Sequence, residues 1–255
     1  MSKGGSKMRT HGRVLNYLSQ GGYDYKEAMQ KAASVGINVS EEIAKRTNQQ
    51  FAVEGISEIA WTKKEFPIIE NVGFEIGRIY NSRQAYAYSH ADSDVIAITA
   101  LSKKTFEKQK YNYEYHTSDK SSSDFHPKGT QFKHIITHEM AHQVLSQISH
   151  RLISNATGGA QKKAGMKLQY KVADHIIRQA YNTLPKKYQK GLPQTIRSIS
   201  GYAKTDGHET IAEAMADYRA NGNKANPLSR AIYKEMKKYG TASGVKKLAA
   251  EIDAL

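Results

Sequence analysis

No cysteine occurs among the 255 residues, which removes disulfide scaffolds, thiolate catalysis and cysteine-based metal sites together. That fits a reducing compartment. No apolar run approaches the roughly 20 residues that a bilayer-spanning helix needs, and the basic amino-terminal stretch is not followed by the apolar core of a secretory signal. The expectation is a soluble protein without a membrane partner, cytoplasmic as synthesised, with a place in a virion or delivery into a host cell still open. Acidic residues are scarce too. Asp and Glu number 24 against 38 Lys and Arg, and the net charge of +14 favours acidic partners through long-range attraction. The deficit is local. Between residues 143 and 205, eleven Lys or Arg face Asp174 alone, so this segment carries +10 of the +14. The first 20 residues hold Lys3, Lys7, Arg9 and Arg13 and no acid, which reads as a flexible basic arm.

The length allows one or two domains with a real core. Residues 1 to about 36 read as two short amphipathic helices, with Val14, Leu15 and Leu18 on one and Tyr25, Ala28, Met29 and Ala32 on the other, punctuated by Gly21-Gly22 and Gly36. Ser40-Glu41-Glu42 opens a helix carried to about Lys64, which Pro67 ends. The periodicity then changes. Residues 76–80, 85–90 and 95–99 read as short strands, the last two as a hairpin turning at 91–94. Residues 102–131 are polar and read as a long surface loop, with a short strand at Tyr111-Asn112-Tyr113-Glu114-Tyr115. These tyrosines suit base stacking, a grip on a peptide, or an ordinary half-buried edge strand.

The chemistry begins at Phe132-Lys133-His134-Ile135-Ile136-Thr137-His138-Glu139-Met140-Ala141-His142-Gln143. Positions four apart lie on one face of a helix, so His138 and His142 can aim at one point. Two neutral imidazoles and a third ligand suit zinc and leave a position open for water. Glu139 projects beside them, where a carboxylate can take a proton from that water. His134 lies one turn earlier, but three histidines in a row along one helix cannot surround an ion tetrahedrally, so it is assigned a structural or cleft-lining role. A strand just upstream of such a helix can border a cleft and hold an extended peptide by main-chain hydrogen bonds.

After His142 the helix continues through Val144, Leu145 and Ile148 and breaks near Gly158-Gly159. A mostly helical basic lobe, 143–205, follows and can form one wall of the cleft. The third ligand is sought in Tyr202 to Tyr218, where Thr205 or Asp206 caps a helix. Glu209 and Glu213 share one face there, packed among alanine and isoleucine, and His208 stands directly before Glu209. Two amphipathic helices, about 227–239 and 243–254, complete the chain.

His138-Glu139-Met140-Ala141-His142, with Tyr202, six residues, Glu209, three residues and Glu213, resembles the gluzincin metallopeptidases of the anthrax lethal factor and Pro-Pro endopeptidase type, and related domains of phages and mobile elements. The likeness is one of spacing and covers the two motifs directly. It implies that Glu209 is the third zinc ligand, that Glu213 orients a ligand histidine, and that Tyr202 points its hydroxyl at the reacting carbonyl. The expected fold is α+β: residues 1–62 form an amino-terminal helical region with the basic arm, and residues 63–255 form a zincin-like metallopeptidase domain. That domain holds a small mixed sheet, the active-site helix, the basic lobe, the glutamate helix 206–220 and the carboxy-terminal helices 227–254. The expected function is a zinc-dependent endopeptidase with one Zn2+ per chain, acting on a protein or peptide with Glu139 as general base. The alternative is a nucleic-acid-binding phage or mobile-element protein, contacting an acidic partner through the basic lobe, whose metal site is structural or inactive.

Overall fold

Side-chain caps set where several helices begin, because each satisfies backbone N–H groups that the first turn leaves unpaired. Asp24 accepts from the Lys26 and Glu27 amides, Asn48 from Phe51, Ser102 from Thr105 and Asp206 from Glu209. The structure, a computed structural model, describes residues 3–78, 85–89, 93–153 and 161–252, with the side chains of 3–9 and 161–166 outside that description. In chain order the helices are α1 (Lys3–Leu18), α2 (Tyr25–Ser34), α3 (Glu41–Arg46), α4 (Gln49–Glu65), α5 (Lys103–Thr117), α6 (His134–Ile153), α7 (Gln161–Asn182), α8 (Leu192–Arg197), α9 (Gly207–Asn221), α10 (Pro227–Tyr239) and α11 (Ala242–Ile252). The strands are β1 (Ile37–Val39), β2 (Val72–Ile76), β3 (Ala87–Ser89) and β4 (Val95–Ile98). The fold is α+β and 67% helical. Among the described residues, no helix is long and apolar enough to cross a membrane.

The four strands form one mixed sheet in the order β1-β2-β4-β3. β1 and β4 run parallel to β2, and β3 runs antiparallel to β4 with Ala87 opposite Ile98 and Ser89 opposite Ile96. The hairpin is therefore as expected, and it places β3 at a sheet edge. α4 and α6 are buried on most of their surface and form the centre of the molecule. Phe51, Phe74, Phe106 and Phe132 meet between them, the sheet and α5, each at 2% exposure or less. Burying a side chain of this size contributes about 1.5–3 kcal/mol, so the aromatic cluster is a principal anchor for α6.

Four expectations are corrected. Residues 103–117 form α5 rather than a loop with a strand: Phe106, Tyr113 and Thr117 recur at helical spacing and are buried, whereas Tyr111 and Tyr115, four apart, stack on the exposed face with ring centroids 6.4 Å apart. Tyrosines at every second position suggested one face of a strand, whereas in the helix they fall on opposite sides, Tyr113 inward and Tyr111 and Tyr115 outward. The single helix expected to Lys64 is two, divided where the Thr47 hydroxyl bonds back to the Ile43 carbonyl and Asn48 starts α4. The strand expected at 76–80 lies at 72–76, and residues 79 and 80 fall outside the described part, as do Ala91 and Asp92 of the hairpin turn and Gly158-Gly159. The amino-terminal backbone from Lys3 is helical rather than an arm, with the side chains of Lys3, Lys7 and Arg9 outside the description.

Candidate metal centre

α6 holds its position through polar contacts on several sides. At its start, His134 Nδ1 accepts the Gln131 amide hydrogen at 2.8 Å, so this histidine is structural, and burial pulls its pKa down to about 4. Thr137 donates to Glu58 of α4 at 2.8 Å. One turn past Glu139, Gln143 donates to Ser89 Oγ and to the carbonyls of Ser93 and Val95, clamping the hairpin onto the helix.

On the opposite wall, Asp206 caps α9 and puts Glu209 in its first turn, where the helix dipole favours a carboxylate. Thr210 Oγ1 donates to the Ala203 carbonyl at 2.6 Å, tying α9 to the turn that carries Tyr202. The two helices bring three atoms together: His138 Nε2 lies 3.0 Å from Glu209 Oε2, His142 Nε2 lies 3.7 Å from the same oxygen, and the two imidazole nitrogens are 3.3 Å apart. Among the described residues, this is the one group of His, Asp or Glu spaced to hold a metal ion.

The protonation pattern follows from the neighbours. Glu213, 1% exposed, accepts from His138 Nδ1 at 2.9 Å and from the Ser200 hydroxyl at 2.8 Å, and His126 Nδ1 lies 3.2 Å away. Burial disfavours its ionised form, but these partners prevail and hold its pKa at about 2. An ionised Glu213 fixes the His138 hydrogen on Nδ1 and turns the Nε2 lone pair toward Glu209 and His142. Glu209 Oε2 is buried and has no aligned donor. Three electron-pair donors thus face one another, an arrangement that a cation between them stabilises and that costs energy otherwise. Burial opposes charging His138, yet Glu209 and Glu213 raise its pKa well above the usual imidazole value, while burial and the charge on His138 press His142 down to about 3.

Glu139 is 8% exposed and takes a backbone hydrogen bond from Ser89 of β3; burial and the charge of Glu209 push its pKa up to about 7. Tyr202 stacks between Phe125, with ring centroids 4.9 Å apart, and His138, at 6.0 Å. Its amide donates to the Phe125 carbonyl at 3.0 Å, and burial and Glu209 raise its pKa, so it keeps its hydroxyl hydrogen. His208 is not part of the group: it stacks on Tyr170 of α7, 4.3 Å between centroids, with its ring 6.4 Å from that of His142.

Two cavities open on either side of these residues. The larger, about 810 Å³, reaches from His138, Glu139 and Tyr202 toward α5; the smaller, about 340 Å³, lies beside His142, Leu145 and His208. Ala87 of β3 borders both, and Gln169 of α7 lines the smaller. His126, Ser200, Phe125 and Ser89 escaped the reading of the sequence. The only signal was an aromatic-histidine pair before Pro127 in a polar stretch, with no periodicity to direct it. Comparison with known protein families, with curated proteins and with solved structures finds no match.

Proposed function

We propose that the protein is a zinc-dependent endopeptidase with a zincin-like catalytic domain, one ion being held by His138, His142 and Glu209. The observation that carries this reading is the convergence of one ligand atom each from His138, His142 and Glu209, with Glu139 and Tyr202 beside them. Bonds of about 2.0–2.1 Å in a tetrahedron require ligand atoms roughly 3.3–3.4 Å apart. The separations of 3.0, 3.3 and 3.7 Å bracket that value. Two imidazoles and one carboxylate leave zinc with net positive charge, and bound there it supplies a Lewis acid that polarises a carbonyl and lowers the pKa of water.

The chain's own groups then divide the work of hydrolysis. Glu139, buried beside His138 and lining both cavities, is placed to take a proton from water and pass it to the leaving amine. Tyr202 keeps its hydrogen and can donate to the carbonyl oxygen as charge develops there, a contribution of roughly 2.7–4 kcal/mol if it equals one oxyanion-hole donor. Glu213 holds His138 in the tautomer that offers Nε2. The edge of β3, beside Glu139, offers main-chain groups to an extended peptide.

The test is elemental zinc per chain in the wild type, His142→Ala and Glu209→Ala, followed by a peptide-library cleavage screen with Glu139→Ala as control. About one zinc in the wild type alone, with cleavage abolished by chelator and by Glu139→Ala, is expected. Full zinc retention in Glu209→Ala, or cleavage that survives the chelator, would sink the proposal. The exposed Lys167, Lys171 and Arg178 of α7 favour a second reading, binding of nucleic acid by the basic lobe. Salt-sensitive DNA binding unchanged by Glu139→Ala, without cleavage of any peptide, would favour it.

A further inference from the structure

The larger cavity contains an imidazole that the hydrolytic scheme does not use. His126 is 15% exposed, and its Nδ1 lies 3.2 and 3.4 Å from the two oxygens of Glu213. Glu213 already accepts from the Ser200 hydroxyl and from His138 Nδ1, so His126 meets it as a further donor, with a hydrogen on Nδ1. Nε2 is then an acceptor. Tyr113 and Phe125 pack against the ring, each 4.9 Å between centroids, and Tyr202 stands edge-on at 5.8 Å. With Nδ1 committed and aromatic neighbours around the ring, the Nε2 edge is the part left to face the cavity that His126 lines.

That cavity is mixed in its walls, with Tyr86, Tyr113, Phe125 and Ile135 supplying apolar surface and Lys108, Gln109, Asn112 and His116 of α5 polar groups, and its volume of about 810 Å³ is that of a ligand site. Aromatic and aliphatic surface beside a fixed imidazole acceptor near the reacting centre suits an amino-acid residue of matching kind. The side chain fills the pocket, and the main-chain N–H meets the acceptor.

We propose that this cavity is the subsite for the substrate residue on one side of the cleaved bond, that it takes a large apolar side chain, and that His126 Nε2 accepts the main-chain N–H of that residue. The inference rests on the endopeptidase reading and deepens it. It makes His126 specific for the peptide and indifferent to the metal, although His126 and the metal ligand His138 share one carboxylate.

The experiment uses zinc-loaded wild type and His126→Asn, in which the amide nitrogen of asparagine replaces Nδ1 toward Glu213 while Nε2 is lost. Three probes are titrated. Acetohydroxamate reaches only the metal, and two leucine-based peptide hydroxamates, extended from the amino or the carboxyl side, are each made with a free and with a methylated amide nitrogen. In the wild type, one of the two orientations is expected to bind at least tenfold more tightly with the free N–H than with the methylated nitrogen. His126→Asn should reduce that preference to less than threefold, while zinc affinity and acetohydroxamate binding stay within threefold of wild type. Equal binding of free and methylated probes by the wild type overturns the proposal, and that comparison stands even if the variant fails to fold. A variant that keeps the preference, or that loses zinc and acetohydroxamate in step with the peptides, overturns it too, by reducing His126 to a prop for Glu213. A wild type that takes no zinc shows in the metal titration alone that the endopeptidase reading has failed, and the proposal falls with it.

Discussion

Two buried carboxylates flank α6, and they are stabilised in different ways. Glu58 and Glu213 are each 1% exposed, and adjacent residues of α6 reach them: Thr137 donates to Glu58, and His138 donates to Glu213. α9 contributes to both sites. Its Arg219 grips Glu58 through Nε at 2.8 Å and Nη2 at 3.3 Å, and lies 5.0 Å from the Trp61 ring centroid, whereas Glu213 itself projects from the same helix into a set of imidazoles and a hydroxyl. The cost of removing a carboxylate from water is similar in the two places. Its compensation differs. A guanidinium is a permanent cation, so Glu58 and Arg219 lock α4, α6 and α9 together and transmit nothing. An imidazole passes on what it receives: a hydrogen fixed on one nitrogen turns the lone pair of the other toward a target. One carboxylate holds the frame, and the other aims a ligand.

Breaking the first should cost the most in stability. Glu58→Ala leaves Arg219 and Thr137 without their partner in a largely dry site, which is worth about 3 kcal/mol. At roughly 2–4 °C per kcal/mol for a chain of this size, the thermal midpoint of the metal-free protein should fall by about 6 °C or more. Zinc affinity at temperatures where the variant is folded should change by less than about threefold. An unchanged midpoint, or zinc lost in a folded variant, would show that the two carboxylates are not divided in this way.

Glu213→Gln is the reciprocal variant. It preserves shape and removes the charge that orients His138, so zinc affinity measured by competition with a chromophoric chelator should drop about 10- to 100-fold, equivalent to roughly 1.4–2.7 kcal/mol. The thermal midpoint of the metal-free protein should move less than in Glu58→Ala, since an amide still meets Ser200 and His126. A variant that binds zinc like the wild type would mean that His138 needs no such partner.

The comparison also explains which parts of the molecule were legible in the sequence. His138, His142, Glu209 and Glu213 lie on two helices, and a helix converts spacing into direction, so four-residue separations put each pair on one face before any contact was known, while the choice of Glu209 over Glu213 came from the resemblance. Tyr202 came from the spacing of a motif. The hairpin was legible because Val95, Ile96 and Ile98 are β-branched and follow a polar turn. What could not be read was everything that depends on segments meeting across the fold. His126 and Ser200 reach Glu213 from irregular backbone, where periodicity carries no information, and Arg219 is 161 residues from Glu58. α5 was misread because the tyrosines at 111, 113 and 115 follow the period of a strand, whereas the residues that are buried against Phe132, Phe106 and Tyr113, are seven apart as on one face of a helix.

Acid should separate the two regions by a smaller margin. His134 stands on the Glu58 side of α6, where burial lowers its pKa to about 4 against an ordinary value near 6.5; Glu58 opposes that shift, while Lys133 and Arg219 add to it. Between those values the unfolded chain binds a proton that the folded protein refuses, so stability falls as pH drops through that window. Glu213, with its pKa at about 2, contributes stability that is present above about pH 4.5 and is lost only below it. From pH 6.5 to 5.5 the His134 contribution should therefore fail first, by about 1 kcal/mol. His134→Asn keeps an acceptor for the Gln131 amide and removes the titrating group. Urea unfolding in chelator at the two pH values should show the wild type losing about 1 kcal/mol more than this variant, because the contribution of the site histidines is common to both proteins and cancels in the difference. Equal losses would place the acid sensitivity at His142, whose pKa of about 3 opens a wider window of the same sign, and would make the metal side of α6 the weaker one in acid.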